Sequence, residues 1–362
     1  MMRSMIRWLA LAIFVAGVPM ATCAQASTPV GERHGAAHTP GAAARDNAHR
    51  DVVRYTVWYP AAAGSKETPI TVGPPDAPLF NIGSAAADAA IARGRFPTLL
   101  LSHGNGGSAR MMGWFGIAMA RAGYVVIAVD HPGNNGMDPM TVAGGTLIWE
   151  RAEDLKAALK AVLDDGDLAP HVDTARLGAT GFSAGGFAAL AALGAQVDIN
   201  HFIAFCRAHP DDSTCKPQKE SPGITFEDHL KAASTPELAP FMRQAKDNHA
   251  VPGVRAIFVM APGIIEAFDP EGLKNVQQPV SILLGKADDV AQPATNGELA
   301  AKLLPHASIH ELDKVGHYDF LATCTQAGRE QLGPLCKHAV AQDKTHAAAI
   351  KQASDFFAAN LR

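Results

Sequence analysis

A serine hydroxyl becomes a useful nucleophile only when it is held on a sharp turn beside a general base. Residues Gly181-Phe182-Ser183-Ala184-Gly185 have the composition of such a turn. The glycines allow a strained corner, and the hydroxyl of Ser183 is left at its tip. Context supports the reading. Arg176-Leu177-Gly178-Ala179-Thr180 is a short β-prone run before the corner, and Gly186 to Leu193 is small and helix-compatible after it.

The serine needs a base, an acid to orient that base, and donors for the oxyanion that its attack creates. In a sheet wound with helices these groups lie beyond the carboxyl ends of the strands. Pro279 to Leu284 is a buried-strand run followed by Gly285-Lys286-Ala287-Asp288-Asp289. Asp288 on that turn is the expected acid, with Asp289 as its close competitor. Ala307 to Leu312 is the next strand, followed by Val315-Gly316-His317-Tyr318. His317 is the expected base, and the chain order Ser183, Asp288, His317 fits. Leu101-Ser102-His103-Gly104-Asn105-Gly106-Gly107 follows another buried run, where backbone N–H groups can approach an acyl oxygen. The backbone amides of Asn105 and Ala184 are the expected oxyanion donors. The glycine spacing there is neither G-x-G-x-x-G nor a P-loop with its lysine.

The elements that must position these residues alternate. Val52 to Tyr59, Pro97 to Leu101, Tyr124 to Val129, Arg176 to Thr180, Val254 to Met260, Pro279 to Leu284 and Ala307 to Leu312 read as strands. Helical stretches are expected at Ala109 to Ala122, near Arg151 to Leu163 on an apolar face of Leu155, Leu159 and Val162, and at Val340 to Asn360. Such alternation implies an α/β protein with a doubly wound, mostly parallel sheet. Ala61 to Phe96 is Gly/Pro/Ala-rich and reads as too loose for core. The regularity lapses again from 198 to about 252, where a cap or lid insertion is expected.

An apolar content of 48% with 18% charged residues suffices for a large core. The net charge of −4 argues against nucleic acid, which needs a basic footprint. Arg3 and Arg7, the apolar run Trp8 to Val18 and Ala24-Gln25-Ala26 have the layout of a signal peptide over residues 1–26. An exported chain follows, periplasmic or extracellular, with no stable membrane insertion after cleavage. Met20-Ala21-Thr22-Cys23 is a poor lipobox, which disfavours anchoring through Cys23. Cleavage would take away two arginines and no acid, moving the charge from −4 to −6. Residues 27–50 read as a disordered leader with His34 and His38 solvated, and the domain is expected over 51–362. Cys206, Cys215, Cys324 and Cys336 allow three pairings. Their short separations favour 206 with 215 and 324 with 336, and no metal-ligand spacing competes.

The chain resembles the α/β-hydrolases, and more narrowly the bacterial dienelactone-hydrolase-like and platelet-activating-factor acetylhydrolase-like branch. The resemblance rests on Val57-Trp58-Tyr59-Pro60, Ser102-His103-Gly104-Asn105-Gly106, Val129-Asp130-His131, Gly181 to Gly186 and Gly316-His317-Tyr318. It runs from about Val52 to Arg362. Dienelactone hydrolases carry cysteine where this chain has Ser183. Animal acetylhydrolases take their acid from the strand soon after the nucleophile, where this chain has the apolar tip Met260-Ala261-Pro262. The resemblance implies a carboxylic ester hydrolase that needs no cofactor or metal and acts on a small-molecule ester. A peptidase or thioesterase could use the same groups, and a catalytically silent binding module on this scaffold is the reading from another class. Oligomeric state has no signal in the sequence.

Overall fold

The computed structural model describes residues 28–362, so the signal-peptide reading of 1–26 lies outside the described residues. Strands follow in chain order: β1 Val30–His38, β2 Val52–Pro60, β3 Thr68–Val72, β4 Phe80–Ala87, β5 Phe96–Ser102 and β6 Val125–Asp130. Then come β7 Val172–Phe182, β8 Val254–Met260, β9 Val280–Gly285, β10 Ala307–Leu312 and β11 Thr323–Cys324. They form one sheet in the order β10-β9-β8-β7-β5-β6-β2-β1-β4-β11, with β3 paired to β4. From β10 to β6 every neighbour is parallel. Beyond β6, β2 and then β1 pair antiparallel.

Strand side chains alternate between two faces, and each face has its own helices. Leu100, Ile127 and Val129 point to one face with Leu155 and Leu159 of the helix Glu150–Asp164 and with the helix Ala184–Leu193. Leu99, Leu101, Val126 and Ala128 point to the other, with Phe115 and Met119 of Gly113–Arg121 and with Ala353 and Phe357 of Gln342–Asn360. Both faces of the central strands are therefore dry, which is why their sequences are continuous apolar runs.

Strand β5 leads to β6 on one side, and the chain then returns to place β7 on the other side of β5. The loops leaving β5 and β7 diverge at that point and leave a crevice at the strands' carboxyl ends. Ser102 ends β5 and Phe182 ends β7, so the two glycine-rich loops of the sequence meet there.

Two sequence expectations are corrected. Residues 30–45 are not a disordered leader. β1 pairs with β2 from Val30↔Pro60 to His38↔Val52, and the helix Pro40–Arg45 follows, capped by Thr39. Low apolar content hid this strand because Gly31 and Gly35 lie under the rings of Tyr59 and Tyr55, where a Cβ would collide at 2.2 and 2.3 Å. His34 is not a free tail residue, since its ring bonds Thr56 Oγ1 at 3.0 Å and Glu32 at 2.9 Å. The 61–96 stretch likewise holds β3 and β4, and it sends Phe80, Ile82 and Ala85 into the core.

Between the helix after β7 and the start of β8, the chain leaves the sheet for the helices Ile199–Ala208, Phe226–Ala233 and Ala239–Met242. Their faces toward the sheet are only partly buried, as expected for walls of a cleft rather than a core layer. Disulfides join Cys206 to Cys215 and Cys324 to Cys336. Among the described residues no helix is long and apolar enough to cross a membrane.

Candidate functional site

Ser183 lies at the corner between β7 and the helix Ala184–Leu193, with φ 56° and ψ −122°. That left-handed backbone is costly for a residue with a side chain and survives only where neighbours enforce it. Here they do. Ser183 N donates to Met260 O at 3.0 Å, and Ser183 O accepts from Gly186 N at 2.8 Å and Gly263 N at 3.1 Å. The flanking glycines are needed for close approach: a Cβ at Gly181 would lie 2.0 Å from Gly185 O, and one at Gly185 would lie 2.0 Å from Ser102 O.

His317 Nε2 is 2.9 Å from Ser183 Oγ, and His317 Nδ1 is 2.7 Å from Asp288 Oδ2. The other carboxylate oxygen of Asp288 accepts from Val290 N at 2.9 Å and Ala291 N at 2.8 Å, which holds the carboxylate plane toward the ring. All three side chains are buried. Asp289, the competing acid, points outward to Lys219 at 3.2 Å and is largely exposed. The structure thus joins Ser183, His317 and Asp288 in one hydrogen-bonded line and leaves Asp289 out of it. With Nδ1–H donated to the carboxylate, Nε2 is free to accept the serine proton.

Asn105 and Ala184 line one cavity with Ser183. Among the described residues neither backbone N–H has a protein acceptor. Both amides are therefore unspent in the cavity that holds the Ser183 hydroxyl.

A buried polar network beneath this loop was not foreseen. Asn134 Oδ1 accepts from Gly106 N at 3.0 Å, and Asn134 Nδ2 donates to Asn105 Oδ1 at 2.9 Å. Arg151 donates to the same Asn134 Oδ1 at 3.0 Å and to His103 O at 2.6 Å. Deeper still, Arg45 donates both terminal nitrogens to Asp154 at 2.8 and 2.6 Å. Asp154 accepts from His131 Nδ1 at 2.8 Å, and Ser102 Oγ donates to His131 Nε2 at 2.7 Å. Arg45, Ser102, His131, Arg151 and Asp154 are 0 to 1% exposed. The Ser102-His131-Asp154 line repeats the order of groups at Ser183, but it is sealed in the core and holds the base of the glycine loop.

Burial alone would raise the Asp154 carboxyl, but the charge and hydrogen bonds of Arg45 outweigh it and bring it to about 2. Burial, reinforced by Arg151, lowers His131 to about 3, and burial lowers Arg151 to about 9. His131 is therefore neutral, with its proton on the nitrogen facing Asp154. His346, stacked on Trp114 at 3.7 Å, is lowered by burial to about 4. Both histidines bind a proton more weakly folded than unfolded. Their contribution to stability is complete above about pH 6.5 and is lost as pH falls toward 4 and 3. Each adds a slope of up to about 1.4 kcal/mol per pH unit across that window. A melting temperature level above pH 7 and falling steadily from pH 6.5 to pH 4 is the expected result; a flat profile would refute it.

The sequence carried one signal for this network. In Glu150–Asp164, positions 151, 154–155, 158–159 and 162 form a single 3.6-period stripe, and Arg151 and Asp154 lie on it beside Leu155 and Leu159. Charges on a buried stripe mark internal partners. Arg45 could not be found this way, because its partner lies 109 residues away.

Comparison with known proteins adds two likenesses. The model of the prolyl oligopeptidase family matches residues 112–207, which include the Ser183 corner. A ferulic acid esterase from Streptomyces cinnamoneus superposes with a TM-score of 0.59 at 20% identity, over 95% of this chain and 92% of that one. No curated protein shows a significant sequence match. These likenesses neither separate nor favour the dienelactone-hydrolase-like branch, but together with the mostly parallel sheet they establish the fold: the chain has the α/β-hydrolase fold.

Proposed function

We propose that the chain is an exported serine hydrolase of carboxylic esters. The observation that carries this is the line Ser183 Oγ, His317 Nε2, His317 Nδ1, Asp288 Oδ2, with steps of 2.9 and 2.7 Å, at a corner beside two unspent amides. Ser183 attacks the ester carbonyl as His317 takes its proton. Asp288 holds the ring in the tautomer that can accept. The amides of Asn105 and Ala184 bind the oxyanion, each contributing about 3 kcal/mol in the transition state. His317 returns the proton to the leaving alcohol, and water then cleaves the acyl-enzyme with His317 as base again. No metal or cofactor enters these steps.

Export is supported by the N-terminal layout of residues 1–26 and by the two disulfides, which persist in oxidising compartments. The ester reading agrees with the activity named for the Streptomyces neighbour, and the family match over 112–207 keeps a peptidase as the second reading. Hydrolysis of p-nitrophenyl butyrate but not of aminoacyl anilides separates the two. The opposite preference overturns the ester reading. A protein inert to both and to a fluorophosphonate would be a silent binding module.

The acid assignment is testable by itself. Asp288→Asn is expected to lower kcat about 10⁴-fold, because the amide stabilises the wrong histidine tautomer. Asp289→Asn, altering an exposed contact to Lys219, is expected to change kcat less than twofold, on the order of a surface substitution. Reversed effects would move the role to Asp289. Asn134 acts one step behind the oxyanion amide. Asn134→Leu is expected to lower kcat by about 10²-fold, the scale of one lost donor. KM should change far less, and a parallel fall in kcat and melting temperature with no rescue by Asn134→Asp would mean a merely structural role.

A further inference from the structure

Two cavities meet at Ser183. One, of about 150 Å³, lies under the 199–242 helices and is walled by Ile199, Phe202, Ile203, Leu230 and Met242. The other, of about 180 Å³, lies on the far side and is walled by Phe80, Met111, Leu321, Leu332 and Leu335. Ser183, Asn105, Gln218 and Val290 line both, so the reacting centre sits at their junction. Ala184 belongs to the first cavity only, whereas His317 belongs to the second only.

That asymmetry has a chemical consequence. The acyl group stays on Ser183, whereas the alcohol departs with a proton from His317 Nε2 and must leave on the histidine side. We propose that the first cavity holds the acyl group and the second the alcohol, and that the substrate is an uncharged ester apolar at both ends. The proposal rests on the serine-hydrolase reading above and assigns its substrate class.

The charged side chains that line the two chambers already have partners among the described residues. In the acyl chamber His229 bonds Thr146 Oγ1 at 2.9 Å, and burial holds the ring neutral. Lys216 at its margin is paired with Asp211 at 3.2 Å. In the alcohol chamber the Glu220 carboxylate accepts from Tyr318 OH at 2.7 Å and lies 3.5 Å from Asn105 Nδ2. Burial and that carboxylate push the Tyr318 phenol up, so it remains a donor. An ionised or polyhydroxylated group placed in either chamber would lose water against walls that are chiefly apolar and would have to displace one of these pairings. Each chamber also has a cross-linked wall. Cys215 lines the first, and Leu332 and Leu335 lie within the loop closed by Cys324 and Cys336.

The test uses two ester series with the full-length protein after export. The first varies the acyl group of p-nitrophenyl esters from acetate to octanoate. The second holds the acyl group as butyryl and compares pentyl with glyceryl alcohol. kcat/KM is expected to rise at least tenfold along the first series and to favour pentyl over glyceryl at least tenfold in the second, the scale of a few methylenes in an apolar pocket. Leu230→Trp, with Ile203→Trp as a second variant, should compress the acyl series. Leu335→Trp, with Leu332→Trp, should compress the alcohol preference. All four positions are only partly buried, so the added ring fills the chamber rather than the core. Crossed effects, equal effects on both series, or a preference for glyceryl overturn the assignment. Labelling of Ser183 by diethyl p-nitrophenyl phosphate is read in parallel. Labelling with flat ester profiles sinks only the two-chamber proposal, whereas absence of labelling sinks the serine-hydrolase reading beneath it.

Discussion

Ser183→Ala is expected to lower kcat about 10⁶-fold on p-nitrophenyl butyrate while leaving the folded structure intact. His317→Ala should cost about as much, and the double variant hardly more, because the two groups act as one unit. Residual turnover of roughly 10³-fold over water should persist, since the oxyanion amides and the cavity remain. The same position carries a second, opposite effect. Ser183 holds φ 56°, ψ −122°, a conformation that costs of order 1–3 kcal/mol for a residue with a Cβ. Ser183→Gly is therefore expected to be inactive yet more stable by about 1 kcal/mol. Turnover assays with calorimetry of the three proteins check both halves. Full activity in Ser183→Ala refutes the nucleophile, and a destabilised Ser183→Gly refutes the strain.

Asp154→Ala should be among the most destabilising single changes in the chain, at about 3–5 kcal/mol. It strips the carboxylate from the buried guanidinium of Arg45 and from the ring of His131, and none of these groups can reach water. The cost is that of an orphaned charge rather than the net worth of the pair. The double change Arg45→Met with Asp154→Leu should accordingly recover part of the loss. Deleting residues 1–50 should be as damaging as Asp154→Ala, because it removes Arg45 together with β1. Urea titration measures all three. A cost under about 1 kcal/mol for Asp154→Ala would mean that the site relaxes or hydrates, and the account of the network would fail.

Activity should report on the same network before stability does. Ser102 ends β5 directly before the Gly104–Gly107 loop, and His131 Nε2 accepts its hydroxyl. Arg151 and Asn134 then hold the loop's carbonyl and amide groups. The loop that carries Asn105 is thus held by buried polar groups from three distant segments: the helix Pro40–Arg45, the start of Glu150–Asp164 and the loop after β6.

Strand β8 was readable to the residue because it is a compact, largely apolar run bounded by turn residues, and β10 because Ala307 and Ile309 alternate with the polar Ser308 and His310 before the next turn. The three side chains proposed as nucleophile, base and acid, which the structure joins by hydrogen bonds, were readable for a related reason. Their roles require particular residue types just past strand ends, and Ser183, Asp288 and His317 each follow a strand visible in the sequence. β1 was not readable. Gly31 and Gly35 make room on one face for the rings of Tyr59 and Tyr55, so its fit exists only across the strand pair. β4 was masked similarly, since alternating Phe80, Ile82 and small residues are too sparse to stand out from a Gly/Pro-rich stretch.

The sequence by itself determined the sheet type, the serine corner and the chain order of Ser183, Asp288 and His317 just past strand ends, because local backbone geometry and hydrophobic period are written in neighbouring residues. The tertiary structure alone decided which aspartate meets His317, which buried charges brace the Gly104–Gly107 loop and how the space around Ser183 divides. Asp288 and Asp289 are chemically identical, and only the turn that feeds Val290 N and Ala291 N to one of them separates their directions. Arg45 and Asp154 stand 109 residues apart, and cavity walls come from the 199–242 helices, the 324–336 loop and β4 together. These are contacts between segments, and no single segment encodes its partner.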